Sequence, residues 1–283
     1  MNIQDMINEI QQRHDIVGRR GELRRALAAK LSSRHLMIEG NIGTGKTVIA
    51  KSIADYFDQA FLRVDGDERF TENKLVGYFD PPMVVKSGYN WESFIEGPLT
   101  RAMKTGGILL INEINRLLET TQNVLLTAMD EGQIILPKLG SVNAEDGFMI
   151  IATENPSEYV GTTALSEALR DRFVWIWLDY QNEEEENGIV RVRSSNDDRQ
   201  QIAVAVKIAR RTREHPDVRR GSSVRGAIDI ANIIERLSTT NEDWLLASVM
   251  SLATKIELID GCGKSVEEVI AECVREVLSP DFR

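Results

Sequence analysis

Between a short apolar run and a helical pattern the chain reads Gly40-Asn41-Ile42-Gly43-Thr44-Gly45-Lys46-Thr47, which fits G-x-x-x-x-G-K-S/T. The glycines let the backbone turn so that successive N–H groups face inward and meet phosphate oxygens. Lys46 adds a point charge for the outer phosphates, the Thr47 hydroxyl is a hard oxygen ligand for magnesium, and Val48 continues into a helix whose N-terminus presents its positive dipole end. The expected ligands are a nucleoside triphosphate, ATP, and Mg2+. A second chemical cluster follows the apolar residues Ile108 to Ile111, where Asn112-Glu113 would stand at the carboxyl end of a parallel strand. There Glu113 is suited to polarise an attacking water as a base. Asn112 occupies the place where such motifs ordinarily carry an aspartate for the metal's water shell.

The elements that must hold these residues are legible as alternating patterns. Apolar runs at 35–39, 60–64, 108–112, 148–153 and 174–178 predict strands, and helical spacing separates most of them. This alternation predicts an α/β fold with a five-stranded, mostly parallel sheet covered on both faces. Two excursions, 78–97 and 132–147, read as β-hairpins, with Trp91 and Phe94 as candidate contact residues on the first. An acidic break, Glu183 to Glu186, reads as a solvated helix start. Strand-like runs cease beyond it, and helical patterns at 199–213, 225–237, 243–259 and 266–278 predict a small all-helical second domain. The expected division is 1–181 and 182–283.

Composition narrows the function classes. Lys and Arg number 34 against 44 Asp and Glu, a net charge of −10, which opposes nonspecific association with nucleic acid. Cys262 and Cys273 offer no disulfide framework, and the histidines lack metal-ligand spacing. No run approaches the roughly 20 apolar residues that span a bilayer, and the N-terminal residues are too polar for a signal peptide. A soluble, cytoplasmic protein is expected.

A resemblance sharpens the reading. Asn112-Glu113-Ile114-Asn115-Arg116, then Gln122-Asn123-Val124-Leu125-Leu126 and Met129-Asp130-Glu131, resemble the AAA+ ATPases of the MoxR family. So do Ile151-Ala152-Thr153-Glu154-Asn155-Pro156 and Leu165-Ser166-Glu167-Ala168-Leu169-Arg170-Asp171-Arg172-Phe173. The resemblance implies an AAA+ P-loop core with a helical lid, two inserts at the excursions, and a ring, expected to be hexameric. It implies that Asn155 positions the lytic water beside Glu113. Arg172 would be the finger that reaches a neighbouring subunit's γ-phosphate, with Arg170 as its understudy. A planar, permanently charged guanidinium suits that task. Val17 and Gly18 resemble the adenine contact, and Arg225 the second sensor near the phosphates. A partner bearing a von Willebrand factor A domain is implied as well.

Where this chain departs from the family is Asn112. An asparagine keeps an acceptor oxygen but loses the charge that attracts the ion, so weaker magnesium binding and slower hydrolysis are expected, with Asn112→Asp as the comparison. Two alternatives stay open: a nucleic-acid motor, suggested by local arginine runs such as Arg210, Arg211 and Arg213, and an ATP-dependent assembly switch with little turnover.

Overall fold

The computed structural model describes residues 2–155 and 165–279. They fall into two units, one drawn from Met1–His14, Arg19–Asn41 and Gly45–Asp179, the other from Asp15–Gly18, Ile42–Thr44 and Tyr180–Arg283.

The first unit is built on a five-stranded parallel sheet. Its strands are β1 (His35–Gly40), β2 (Phe61–Asp65), β3 (Ile108–Asn112), β4 (Met149–Glu154) and β5 (Phe173–Leu178), in the order β2-β3-β4-β1-β5. The central β3 and β4 are buried along nearly their whole length, as continuous apolar runs require when both faces of a sheet are covered. The edge strands β2 and β5 carry exposed residues, among them Arg63, Asp65 and Trp175. Helix Lys46–Tyr56 follows β1 and buries Ile49, Ala50, Ile53 and Ala54, the spacing of one helical face. Leu99, Met103 and Leu125 pack with Leu109, Ile111 and Ile150 in the core. Each such buried side chain contributes roughly 1.5–3 kcal/mol.

At the start of β1, His35 Nδ1 accepts a hydrogen bond from the Ile150 N–H at 2.9 Å. Burial pushes its pKa down to about 4, with the Arg34 charge adding to that effect and the Met129 carbonyl and Asp130 opposing it. A histidine held neutral in the fold contributes stability that is complete above its unfolded pKa of about 6.5 and is lost as the pH falls towards 4. On the order of 2–3 kcal/mol should disappear across that window. Urea midpoints at pH 7, 5.5 and 4 should show this decline, and His35→Gln should flatten it; equal slopes in both proteins would assign the acid sensitivity elsewhere.

The 132–147 excursion is a hairpin, with Gln133–Leu136 antiparallel to Gly140–Asn143. The 78–97 excursion differs from a simple hairpin. Its strands, Gly77–Phe79 and Phe94–Glu96, pair as expected, but helix Pro81–Ser87 and a single 3-10 turn lie between them. Pro81 and Pro82 open that helix, since a proline in the first turn loses no intrahelical hydrogen bond.

The second unit contains helices Glu183–Arg193, Arg199–Glu214, Val224–Ile234, Asn241–Leu252 and Val266–Leu278 around a core that includes Ile202, Val206, Ile230, Trp244 and Ile270. It also holds a short antiparallel ribbon, Val218–Arg220 with Glu257–Leu258, so it is not wholly helical. The helix expected over 243–259 stops at Leu252, and the chain turns into that ribbon. Cys273 is buried, and burial pushes its thiol up to about 12, which makes it a packing residue.

Candidate nucleotide site

Gly40 closes β1 with a φ of 152°, and a Cβ there would lie 2.1 Å from the Leu178 carbonyl oxygen, so only glycine lets β1 leave the sheet beside β5. Beyond it, the Lys46 ammonium donates to the Gly40 and Asn41 carbonyls at 2.5 and 2.9 Å. The loop thus holds its own cation against its own backbone oxygens, as a seat from which the charge can pass to an anion. Thr47 and Val48 lie in the first turn of the following helix, which Gly45 opens in a left-handed conformation.

Across the sheet, Glu113 follows β3 with φ 56° and ψ 53°, an uncommon conformation for a residue with a side chain. Its N–H donates to Thr153 Oγ1 at 3.0 Å. The Thr153 hydroxyl donates in turn to Asn112 Oδ1 at 2.9 Å, and Asn112 Nδ2 donates to Asp65 Oδ1 at 3.1 Å. The Glu113 carboxylate pairs with Arg116 at 2.9 Å. Asn155 is buried just past the end of β4. The structure therefore joins Asn112 and Glu113 through Thr153 and adds Asp65. Sequence reasoning gave neither Thr153 nor Asp65 a role. Asp65 directly follows the strand predicted at 60–64, and the structure makes it that strand's last residue.

The Thr47 hydroxyl, the Asn112 amide oxygen and the Asp65 and Glu113 carboxylates are all hard oxygen donors, the type that magnesium takes. Glu154, in register with Glu39 on β1, has its pKa raised by burial and then by the Glu39 charge, with Arg170 opposing. Arg170 itself is exposed.

Arg172 is committed within its own chain. Its Nε donates to Asp130 Oδ1 at 2.8 Å, its Nη2 to Asp130 Oδ2 at 2.7 Å, and its Nη1 to the Ala168 carbonyl. The guanidinium holds the Asp130 carboxyl below the usual carboxylate range. To serve a neighbouring subunit, Arg172 would have to leave Asp130. Pro156, at the end of the Ile151 to Pro156 motif, lies outside the described residues.

In the second unit, the Val17 carbonyl accepts from Gln181 Nε2 at 2.8 Å, and Gly18 takes a positive φ of 66°. Gly43 packs on Ser223, whose Oγ would lie 2.3 Å from an added Cβ, with Arg225 Cδ at 3.8 Å. Ser223 caps helix Val224–Ile234, which puts Arg225 in its first turn. A cavity of about 180 Å3 is lined by Ile42, Tyr180, Gly221, Ser223, Arg225 and Lys255. Thr44 is buried in the same unit.

Residues 35–173 match the AAA domain of the dynein-related subfamily. Over 208 residues the chain is 30% identical to an uncharacterized protein of Staphylococcus aureus, covering 71% of this chain and 78% of that protein. The chain has the fold of the AAA+ P-loop ATPases and carries an AAA domain over residues 35–173. It is 32% identical over 225 residues to the gas vesicle ATPase GvpN of Haloferax mediterranei, covering 74% of this chain but only 63% of that protein. With GvpN2 of Halobacterium salinarum it shares 28% identity over 262 residues, covering 87% of this chain and 74% of the other. Among solved structures, the Holliday junction branch migration motor RuvB of Thermotoga maritima superposes with a TM-score of 0.53 at 18% identity, covering 83% of this chain and 70% of that chain. At that identity the likeness is one of fold. Among the described residues of this AAA+ chain, no helix is long and apolar enough to cross a membrane.

Proposed function

We propose that this AAA+ protein is a MoxR-type ATPase that assembles into a ring, expected to be hexameric, and uses ATP hydrolysis to remodel a partner protein complex. The observation that carries the reading is the order of the strands. The strand that leads into Lys46 and the strand that leads into Glu113 flank β4, so both residues follow the same end of one parallel sheet, which supports reading them as phosphate anchor and base. Resemblance to gas vesicle ATPases favours work on an assembly rather than on a small metabolite. The partner is expected to carry a von Willebrand factor A domain. The net charge of −10 argues against nucleic acid as the main partner.

In this mechanism Lys46 exchanges its loop carbonyls for phosphate oxygens of ATP, and the loop N–H groups bind the remaining oxygens. Thr47 and Asn112 would hold magnesium, directly or through its waters, and its charge would serve to neutralise the phosphoryl oxygens. Glu113 takes the proton of the water that attacks the γ-phosphorus. Asn155 orients that water. Arg172 leaves Asp130 on assembly and neutralises charge on the neighbouring subunit's transferring phosphoryl group, which makes turnover depend on the ring.

Shared sites predict complementation. Arg172→Ala and Glu113→Gln should each be nearly inactive, and mixing them should recover ATPase activity, because some interfaces then combine an intact base with an intact arginine. No recovery across the whole range of mixing ratios would mean that Arg172 does not act in trans. The second reading, a slow assembly switch, is favoured by Asn112 alone.

A further inference from the structure

We infer that Asp65 supplies the negative charge that Asn112 lacks and acts, through the Asn112 amide, as a positioning residue for the magnesium of the nucleotide site. The inference rests on the ATPase reading and deepens it.

The polarity of the hydrogen-bond chain fixes the amide. Because the Glu113 N–H already donates to Thr153 Oγ1, the threonine proton is free to go to Asn112 Oδ1. That leaves Asn112 Nδ2 facing Asp65 Oδ1 at 3.1 Å. Turning the amide over would set Oδ1 against a carboxylate, so the orientation has one solution. The amide oxygen keeps a second lone pair, and donation from Nδ2 to a carboxylate raises the electron density on that oxygen. Asn112 thereby becomes a better acceptor for a metal-bound water than an isolated asparagine.

The same geometry disfavours an acid at both positions. An aspartate at 112 would accept from Thr153 equally well, but its other oxygen would meet the Asp65 carboxylate, and the two like charges would repel. The pair is built to hold a single negative charge, and here it sits on β2 instead of β3. The backbone holds the two together. Asp65 and Asn112 are in register on parallel strands, and the Gly66 N–H donates to the Asn112 carbonyl at 2.7 Å. A Cβ on residue 66 would lie 2.1 Å from the Glu113 carbonyl oxygen, so glycine alone allows this clamp. Arg63 forms an ion pair with Asp65, with Nε at 3.0 Å and Nη2 at 2.6 Å from Oδ1, which offsets part of its charge and holds the carboxylate in place. The Asp65 side chain is 61% exposed, open to the waters of a hydrated ion.

The test measures binding of a fluorescent ATP analogue against magnesium concentration, with its affinity in EDTA as the reference. Asp65→Asn should raise the half-saturating magnesium concentration about tenfold or more, the usual loss when a residue behind a metal's ligands is removed. Asp65→Asn combined with Asn112→Asp should return it to within about threefold of the starting protein, since one charge is restored on the other strand. Asn112→Asp alone should bring no gain. Asp65→Ser carries the same expectation as Asp65→Asn should the latter misfold. An unchanged magnesium requirement in Asp65→Asn overturns the inference, as does an Asn112→Asp single variant that tightens magnesium as much as the pair. A starting protein that binds no nucleotide even with excess magnesium overturns the ATPase reading itself.

Discussion

Glu113→Gln should lower ATP turnover by about a hundredfold or more while nucleotide still binds, because a positioned general base contributes 10²–10⁴-fold and binding falls to other groups. Lys46 and the loop amides, to which the proposed mechanism assigns the phosphates, lie on a different strand connection and are untouched. The substitution also spares the local fold. The left-handed turn at 113 is held by the backbone N–H on Thr153, and glutamine keeps that N–H. The Arg116 partner retains an acceptor in the amide oxygen, so the melting temperature should hardly move. Single-turnover and steady-state rates, together with a binding titration, separate these effects. Turnover within about threefold of the starting protein would remove Glu113 from the chemistry. A fall in melting temperature without a fall in turnover would show that its ion pair with Arg116 is what matters.

The sheet was legible because β1, β3 and β4 are buried on both faces and so must be continuous apolar runs. The phosphate loop was legible because its chemistry is local, carried by residues within a single turn of chain. What escaped depends on register between distant strands. Asp65 and Asn112 are 47 residues apart, and Thr153 and Asn112 are 41 apart, so no local pattern announces that their side chains meet. Short elements escaped for another reason. Glu257–Leu258 is too short to show a period of two, and Ile256 and Ile259 continue the helical spacing of the segment before it. In the 78–97 excursion, Pro81-Pro82 lie inside a segment read as a β-hairpin, and prolines open helices as readily as they make turns. The acidic run at 183–186 read as a solvated helix start. A helix does begin at Glu183, but Glu186 is buried, and that burial carries the largest energetic consequence.

Glu186→Ala should destabilise the helical second unit by about 3 kcal/mol. The carboxylate is 3% exposed and divides its oxygens between two cations, Oε1 accepting from Arg213 Nη1 at 2.7 Å and Oε2 from Arg210 Nη1 at 3.1 Å. Alanine would leave both guanidiniums without that counter-charge in a confined space, and breaking one side of a buried ion pair costs about 3–5 kcal/mol. Arg210 is 28% exposed and can regain some water, which points to the lower end of that range. Glutamine keeps an acceptor but not the charge, and should lose about half as much. The effect should reach beyond stability. Arg213 stacks on Tyr180 at 4.0 Å and donates through Nε to the Ser222 carbonyl at 2.6 Å, while the Ser222 N–H donates to Thr212 Oγ1 at 2.9 Å. These contacts fix the chain just before Ser223 caps the helix that carries Arg225, so loosening Arg213 also loosens Arg225. Urea unfolding should show the destabilisation, and nucleotide affinity measured well below the unfolding midpoint should fall with it. Weakened nucleotide binding in a variant that remains folded would tie Arg225 to the ligand through Glu186. A loss of stability with affinity unchanged would confine Glu186 to holding the helices together.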